Sequence, residues 1–232
     1  MFLKKKIIAI IIARGGSKGI KLKNLRKIKG KTLINHVGNF CKDLNFLDEK
    51  IISSDNRLII KEGKKNGLKA PFVRSKNLSK DLVPDEKVLI DALKRAEKAY
   101  KTKYDIIISL PPTSPFREKK DILKSLRLLI KSKYDSVWTV SKNDSKNHPL
   151  KQLAISKENK IKYYLKKGSK IFARQQLNTL YYRDGSAYVI TRETLLKKKK
   201  LITNNTGAVV TKNFKISIDN YFDLKLANIF FK

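Results

Sequence analysis

The feature that most constrains this chain is residues 7–24, IIAIIIARGGSKGIKLKN. Seven uncharged residues, 7–13, run directly into a glycine-rich loop carrying Arg14, Lys18, Lys21 and Lys23. An unbroken apolar run of strand length suits a strand buried on both faces of a parallel sheet. The loop after it suits a phosphate cradle: glycines let backbone N–H groups approach an anion, and cationic side chains neutralise its oxygens. The spacing is neither G-x-x-x-x-G-K-[ST] nor G-x-G-x-x-G, because Gly15, Gly16 and Gly19 read G-G-x-x-G. Taken alone, the stretch is equally compatible with an ordinary Gly-rich turn after a buried strand.

The rest of the chain extends that first strand into a repeating pattern. Strands are expected at 7–12, 50–54, 70–73, 104–110 and 135–140. Helices are expected at 32–43, 57–66, 84–100 and 121–131. The helix at 84–100 carries the stripe Val88, Leu89, Ala92, Leu93 and Ala96. This βαβα rhythm predicts an α/β fold, a mostly parallel Rossmann-like sheet with helices on both faces. Ligands of such sheets bind at the carboxyl ends of the strands, here the loops after Ile12, Ser54 and Leu110. The rhythm breaks over residues 141–182, which read as an inserted arm that meets a second subunit. It returns with a strand at 186–190, a helix near 192–196, a strand at 215–219 and a helix at 221–231 with Leu224, Ala227 and Phe230 facing inward. The chain is expected to be one domain, 1–232.

At 232 residues the domain buries enough surface to need no disulfide or metal staple. One cysteine, Cys41, excludes a disulfide framework and a multi-Cys zinc site; it reads as a packing residue of a reducing, cytoplasmic protein. Lys4–Lys6 precedes a short apolar run that Arg14 ends, which does not read as a signal peptide, and no apolar run is long enough to span a membrane. The net charge of +34 comes mostly from lysines scattered along the whole chain. A nucleic-acid binder concentrates charge on one face and favours Arg among aromatics. The even spacing therefore argues against nucleic acid as partner and reads as the coding bias of an AT-rich genome. The positive field would still draw in small anions.

Several motifs follow in one order: Ala13-Arg14-Gly15-Gly16-Ser17-Lys18-Gly19, Lys23-Asn24, Gly30-Lys31-Thr32-Leu33-Ile34 and Ser53-Ser54-Asp55. Then come Pro112-Thr113-Ser114-Pro115-Phe116-Arg117, His148-Pro149-Leu150-Lys151, Arg174-Gln175-Gln176, Arg183-Asp184-Gly185 and Ile218-Asp219 with Asp223. Over nearly the whole chain this resembles the acylneuraminate cytidylyltransferases, the CMP-N-acetylneuraminate synthetase family. The resemblance implies a homodimer that joins CTP to a nonulosonic, sialic-acid-like sugar acid, releasing pyrophosphate with the help of Mg²⁺. It implies Arg14 and Lys23 as catalytic cations on the triphosphate, with Ala13, Gly15, Gly16, Ser17, Lys18 and Asn24 completing the nucleotide site. Thr113, Arg174 and Arg183 fall on its sugar-acid side, where a guanidinium fork pairs bidentately with a carboxylate. Gln175 and Gln176 bind sugar hydroxyls or cap local backbone. Asp219 is the expected Mg²⁺ ligand, and Asp223 complements the dipole of the last helix.

Other residues have structural readings: Asp55 touches the nucleotide or caps the helix after it, His36 and Trp138 are structural, and His148 positions its loop. The chain departs from the family pattern at Pro111, where Gln is common, at Ser217, where a second acidic metal contact is common, and at Asp184, which would set an extra carboxylate beside the sugar's. The alternatives are a CTP-dependent transferase for an eight-carbon ulosonate or a sugar phosphate, a basic nucleic-acid-binding protein, and a non-catalytic paralogue.

Overall fold

In the computed structural model, which describes residues 2–231, the outermost residues of the expected 1–232 domain lie outside the described region. The first apolar run is a strand, β1 (Ile7–Ile12), whose first five residues are buried. Its side chains alternate between two cores, as the two-residue period of a strand requires. Ile7, Ala9 and Ile11 pack with Ile34, Val37, Ile59, Ile122 and Leu126 on one face. Ile8 and Ile10 pack with Leu89, Ala92, Leu93 and Ala96 on the other. Helices α1 (Leu33–Lys42), α2 (Arg57–Lys65) and α4 (Lys119–Lys131) therefore cover one face, and α3 (Asp85–Tyr100) covers the other.

A short antiparallel ribbon, β2 (Lys27–Ile28) with β3 (Lys31–Thr32), leads into α1, where Thr32 accepts the Asn35 N–H at 2.9 Å as N-cap. The main sheet adds β4 (Glu49–Ser53), β5 (Ile106–Ser109), β6 (Ser136–Lys142), β9 (Tyr181–Thr191) and β10 (Thr206–Val210). Its spatial order is β10-β6-β9-β5-β1-β4. β9 runs antiparallel to both neighbours; every other pairing is parallel. Between β6 and β9 the chain leaves the sheet for a small hairpin, β7 (Leu153–Ile155) with β8 (Ile161–Tyr163), flanked by single 3-10 turns. This is the excursion expected at 141–182. The last helix is α5 (Tyr221–Phe230), capped by Asn220 and Asp223 in a reciprocal pair, so Asp223 is structural as expected.

Three expected elements differ. Residues 70–73 form no strand; pairing there is confined to a bridge from Lys69 to Ile51, after which the chain turns toward the sheet edge. Residues 215–219 are not a strand either. The last strand is β10, and the later segment is held by the Ile218 N–H donating to the Thr113 carbonyl at 2.9 Å. Phe230 is more than half exposed; Leu224 and Ala227 face inward from α5, joined by Phe231 just past its end. Cys41 is buried, and its thiol is pushed up to about 12 by that burial. His36 holds the Ile28 carbonyl at 2.9 Å and meets the Phe231 ring, and Trp138 packs on Tyr188 while donating to the Leu201 carbonyl, both structural as expected.

Candidate active site

The carboxyl ends of β4, β1 and β5 lie side by side, and the loops leaving them enclose a cleft of about 440 Å³. The glycine-rich loop forms one wall. Gly19 lies so close to the chain near α5 that a Cβ would come within 2.5 Å of the Asp219 carbonyl oxygen; a Cβ on Gly15 would press on Asn56 at 2.9 Å. Glycine here is a matter of room. The loop is partly tied to the scaffold: the Gly15 N–H donates to Asp55 Oδ1 at 2.9 Å and the Ser17 N–H to the Gly15 carbonyl at 3.1 Å. Among the described residues, no hydrogen bond takes the amides of Gly16, Lys18 and Gly19. Those three are unpaired, whereas the Gly15 and Ser17 amides expected in the cradle are already used. Asp55 therefore shapes the loop, and the N-cap of α2 is Asn56, which accepts from Leu58 and Ile59.

After the loop, Leu22 takes a left-handed conformation at φ 51° and the chain reverses into a 3-10 turn, Lys23–Leu25. The Lys23 side chain is only 17% exposed and reaches Asp219 Oδ1 at 2.9 Å, while Asn24 is buried and ties the turn to the Arg14 carbonyl at 3.0 Å. Asn24 thus builds the wall. Arg14 and Lys18 converge on one carboxylate, Asp81, at 2.6 and 2.7 Å. These two cations hold the Asp81 carboxyl below the usual range, Lys18 contributing most.

Among the lining residues beyond the motifs are four charged ones, Arg74, Lys80, Asp81 and Asp85. Arg74 is almost wholly buried, donates to Ser79 Oγ at 3.0 Å and stands 3.8 Å from Asp55; burial lowers its basicity. Asp85 opens α3 inside the cleft, where crowding by protein, and then Glu86, push its carboxyl up against the pull of Arg183, Arg74 and Arg14. The signal that could have found them is topological. Once Lys69 pairs beside β4, the chain must emerge at the same carboxyl edge as the Gly loop.

Thr113 also lines this cleft, next to Pro111 and Pro112. Arg183 lies over the Trp138 ring; its charge acts on Asp85, which lines the cleft, but Arg183 is not itself among the lining residues. Arg174 lies in the arm and lines a separate small hollow with His148 and Asp144. Beside it, Gln176 accepts the Phe172 and Ala173 N–H groups, both at 2.8 Å, so this Gln caps backbone; Gln175 lies in the same exposed turn. His148 is buried and its Nδ1 accepts the Leu150 N–H at 3.1 Å, the positioning role expected. Asp184 is a correction. It is buried within β9, where its two oxygens accept from Thr139, Ser141, Thr211 and the Ser186 N–H at 2.7–3.1 Å. A carboxylate with four donors and no exposure repels nothing in a sugar site.

The sequence pattern that defines the family described as "Cytidylyltransferase" matches residues 8–232. The chain belongs to the cytidylyltransferase family. It is a nucleotidyltransferase, and its cleft opens at the carboxyl ends of the strands, the edge where ligands of open α/β sheets lie. Among named relatives, the post-translational flagellin modification protein B of Campylobacter coli is 28% identical over 97% of this chain and 95% of its own length. A pseudaminic acid cytidylyltransferase of Campylobacter jejuni is 28% identical over 98% of this chain and 97% of its own. A CMP-N,N'-diacetyllegionaminic acid synthase of Legionella pneumophila is 28% identical over 92% and 90%. In fold, the chain is similar to a CMP:2-keto-3-deoxy-manno-octonic acid synthetase solved with CTP, with a TM-score of 0.68, 17% identity and 97% of each chain covered.

Proposed function

We propose that this cytidylyltransferase activates a nonulosonic sugar acid with CTP, forming a CMP-sugar and pyrophosphate. The observation that carries the reading is the convergence of Arg14, Lys18 and Lys23 on one cleft beside a loop with free amides. The names of the full-length relatives, acting on pseudaminic and legionaminic acids, support the class of sugar. The anomeric hydroxyl of the sugar attacks the α-phosphorus, the P–O bond to the β-phosphate breaks, and the hydroxyl proton leaves to water. Arg14, Lys18 and Lys23 hold the phosphate oxygens, and charge developing on the departing pyrophosphate is met in place. Asp219 fits a Mg²⁺ that travels with the triphosphate: its carboxylate stands 70% exposed at the cleft, and Mg²⁺ asks for one or two carboxylates and otherwise takes phosphates and water. When bound, the ion supplies further neutralisation of the pyrophosphate. Ser217 offers no second carboxylate there.

Arg183 and Thr113 receive the sugar acid at the inner side. Arg174 lines a different hollow of its own chain, so it serves the sugar when a second copy brings its arm across. The arm's exposed apolar side chains, Ile155, Ile161, Tyr164 and Phe172 among them, support a homodimer formed there. No helix among the described residues is long and apolar enough to cross a membrane; we place the enzyme in the cytoplasm, the compartment that suits one buried reduced cysteine.

The test is pyrophosphate release from CTP with a panel of nine-carbon nonulosonic acids, an eight-carbon ulosonic acid, a sugar phosphate, and no sugar. Release with one or more nine-carbon acids, well above the eight-carbon one, is the expected result. Turnover confined to the eight-carbon acid or a sugar phosphate would replace the reading.

A further inference from the structure

Asp81 has no role in the mechanism above, yet it is the carboxylate that pairs with both Arg14 and Lys18 of the phosphate cradle. Its Oδ1 lies 2.6 Å from Arg14 Nη1 and its Oδ2 lies 2.7 Å from Lys18 Nζ. A carboxylate bridging two cations from a loop wall stands in for a phosphate: same charge sign, with one oxygen on a guanidinium and the other on an ammonium. We propose that Asp81 is an internal competitor for the cradle, displaced by the triphosphate and returning as pyrophosphate leaves. The proposal rests on the reading of this loop as the triphosphate site.

Three further observations support it. The Asp81 side chain is about one-third exposed, and the residue beside it, Leu82, is 95% exposed, so nothing packs the tip in place. The segment 80–84 contains no helix or sheet pairing; the contact that closes it is the Val83 N–H to the Lys80 carbonyl at 3.4 Å. Lys80 precedes Asp81 and lines the same cleft, so the loop that withdraws a carboxylate carries an ammonium beside it. The physical effect is a tax on affinity. Any anion entering the cradle must first break the Asp81 contacts, so both CTP and pyrophosphate bind more weakly than the bare cations would allow. Weakened product binding favours release, which limits turnover in many enzymes.

The experiment titrates inorganic tripolyphosphate into the full chain by calorimetry at fixed ionic strength, without divalent metal. Asp81→Asn and Asp81→Ala should each bind at least fivefold more tightly than wild type. Removing any carboxylate adds one unit to the net charge, so Glu158→Gln, in the exposed arm, serves as the control and should leave affinity unchanged. Equal or weaker binding by both Asp81 variants would overturn the proposal, and so would an equal gain from Glu158→Gln. Arg14→Ala separates the two layers of the argument. If it weakens binding while the Asp81 variants gain nothing, the competitor alone fails. If it changes nothing, the cradle itself is misplaced. In turnover, Asp81→Asn should lower KM for CTP and sharpen inhibition by pyrophosphate.

Discussion

The Lys23 ammonium is mostly enclosed, and Asp219, its partner, is mostly in water. That asymmetry matters: a triphosphate can displace the exposed carboxylate while the lysine stays where the turn after Leu22 has put it. Lys23→Ala should lower kcat/KM by roughly 10²–10³-fold, as loss of one preorganised donor to developing charge does elsewhere, with an unchanged circular-dichroism spectrum. A loss of less than about threefold, within the scatter of such magnitudes, would take Lys23 out of the mechanism. Arg14, Lys18, Lys23 and Asp219 were legible in the sequence because each sits in a short motif next to a strand or helix end. Arg74, Asp81 and Asp85 were not, because they reach the cleft only after the chain has gone round α2 and come back along β4. Asp184 was misread because the family pattern set it beside the sugar and the strand was expected to begin only at residue 186; β9 begins at Tyr181 and is buried at four consecutive positions from Asp184 to Ala187.

At the scale of elements, that run of buried positions coincides with a register shift between β6 and β9 near Trp138 and Val140. A bulge bends a strand and re-aims its side chains. Asp184 occupies the bend and collects hydroxyls from β6 (Thr139, Ser141) and from the segment after β10 (Thr211), pinning three chain segments at one carboxylate. Asp184→Ala strands those hydroxyls and should cost on the order of 3 kcal/mol. In urea the midpoint should fall with the slope unchanged; an unaltered midpoint would show that the hydroxyls repair themselves. The helices and the strands β1, β4, β5 and β6 were readable from periodicity, as the stripe of α3 shows, whereas β10, which pairs parallel to β6, was not expected from the sequence. The segment 215–219 was not readable either: it forms no strand, and its backbone bond to another part of the chain, from the Ile218 N–H, goes to the Thr113 carbonyl in a loop.

On the scale of the whole molecule, the arm is where the chain differs most from a self-contained sheet. Phe172 is 88% exposed, and β7 and β8 pair only with each other. A free two-stranded ribbon is marginal in water, which is a reason for it to meet a second copy. Sedimentation should give a particle twice the chain mass of 26.7 kDa, and replacing 150–172 by a short linker should give a monomer with pyrophosphate release impaired through the sugar rather than through CTP. A wild-type monomer would refute the shared site. The sheet order also has a temporal consequence. β9 fills the slot between β5 and β6 from the opposite direction, and it is made after both. A nascent chain emerging from the ribosome can assemble β4, β1 and β5 early, but β6 has no seat until residues 181–191 arrive. Two open strand edges must therefore wait, unpaired, through the synthesis of the entire arm, and a pause or truncation in that interval releases a sticky half-sheet instead of an enzyme.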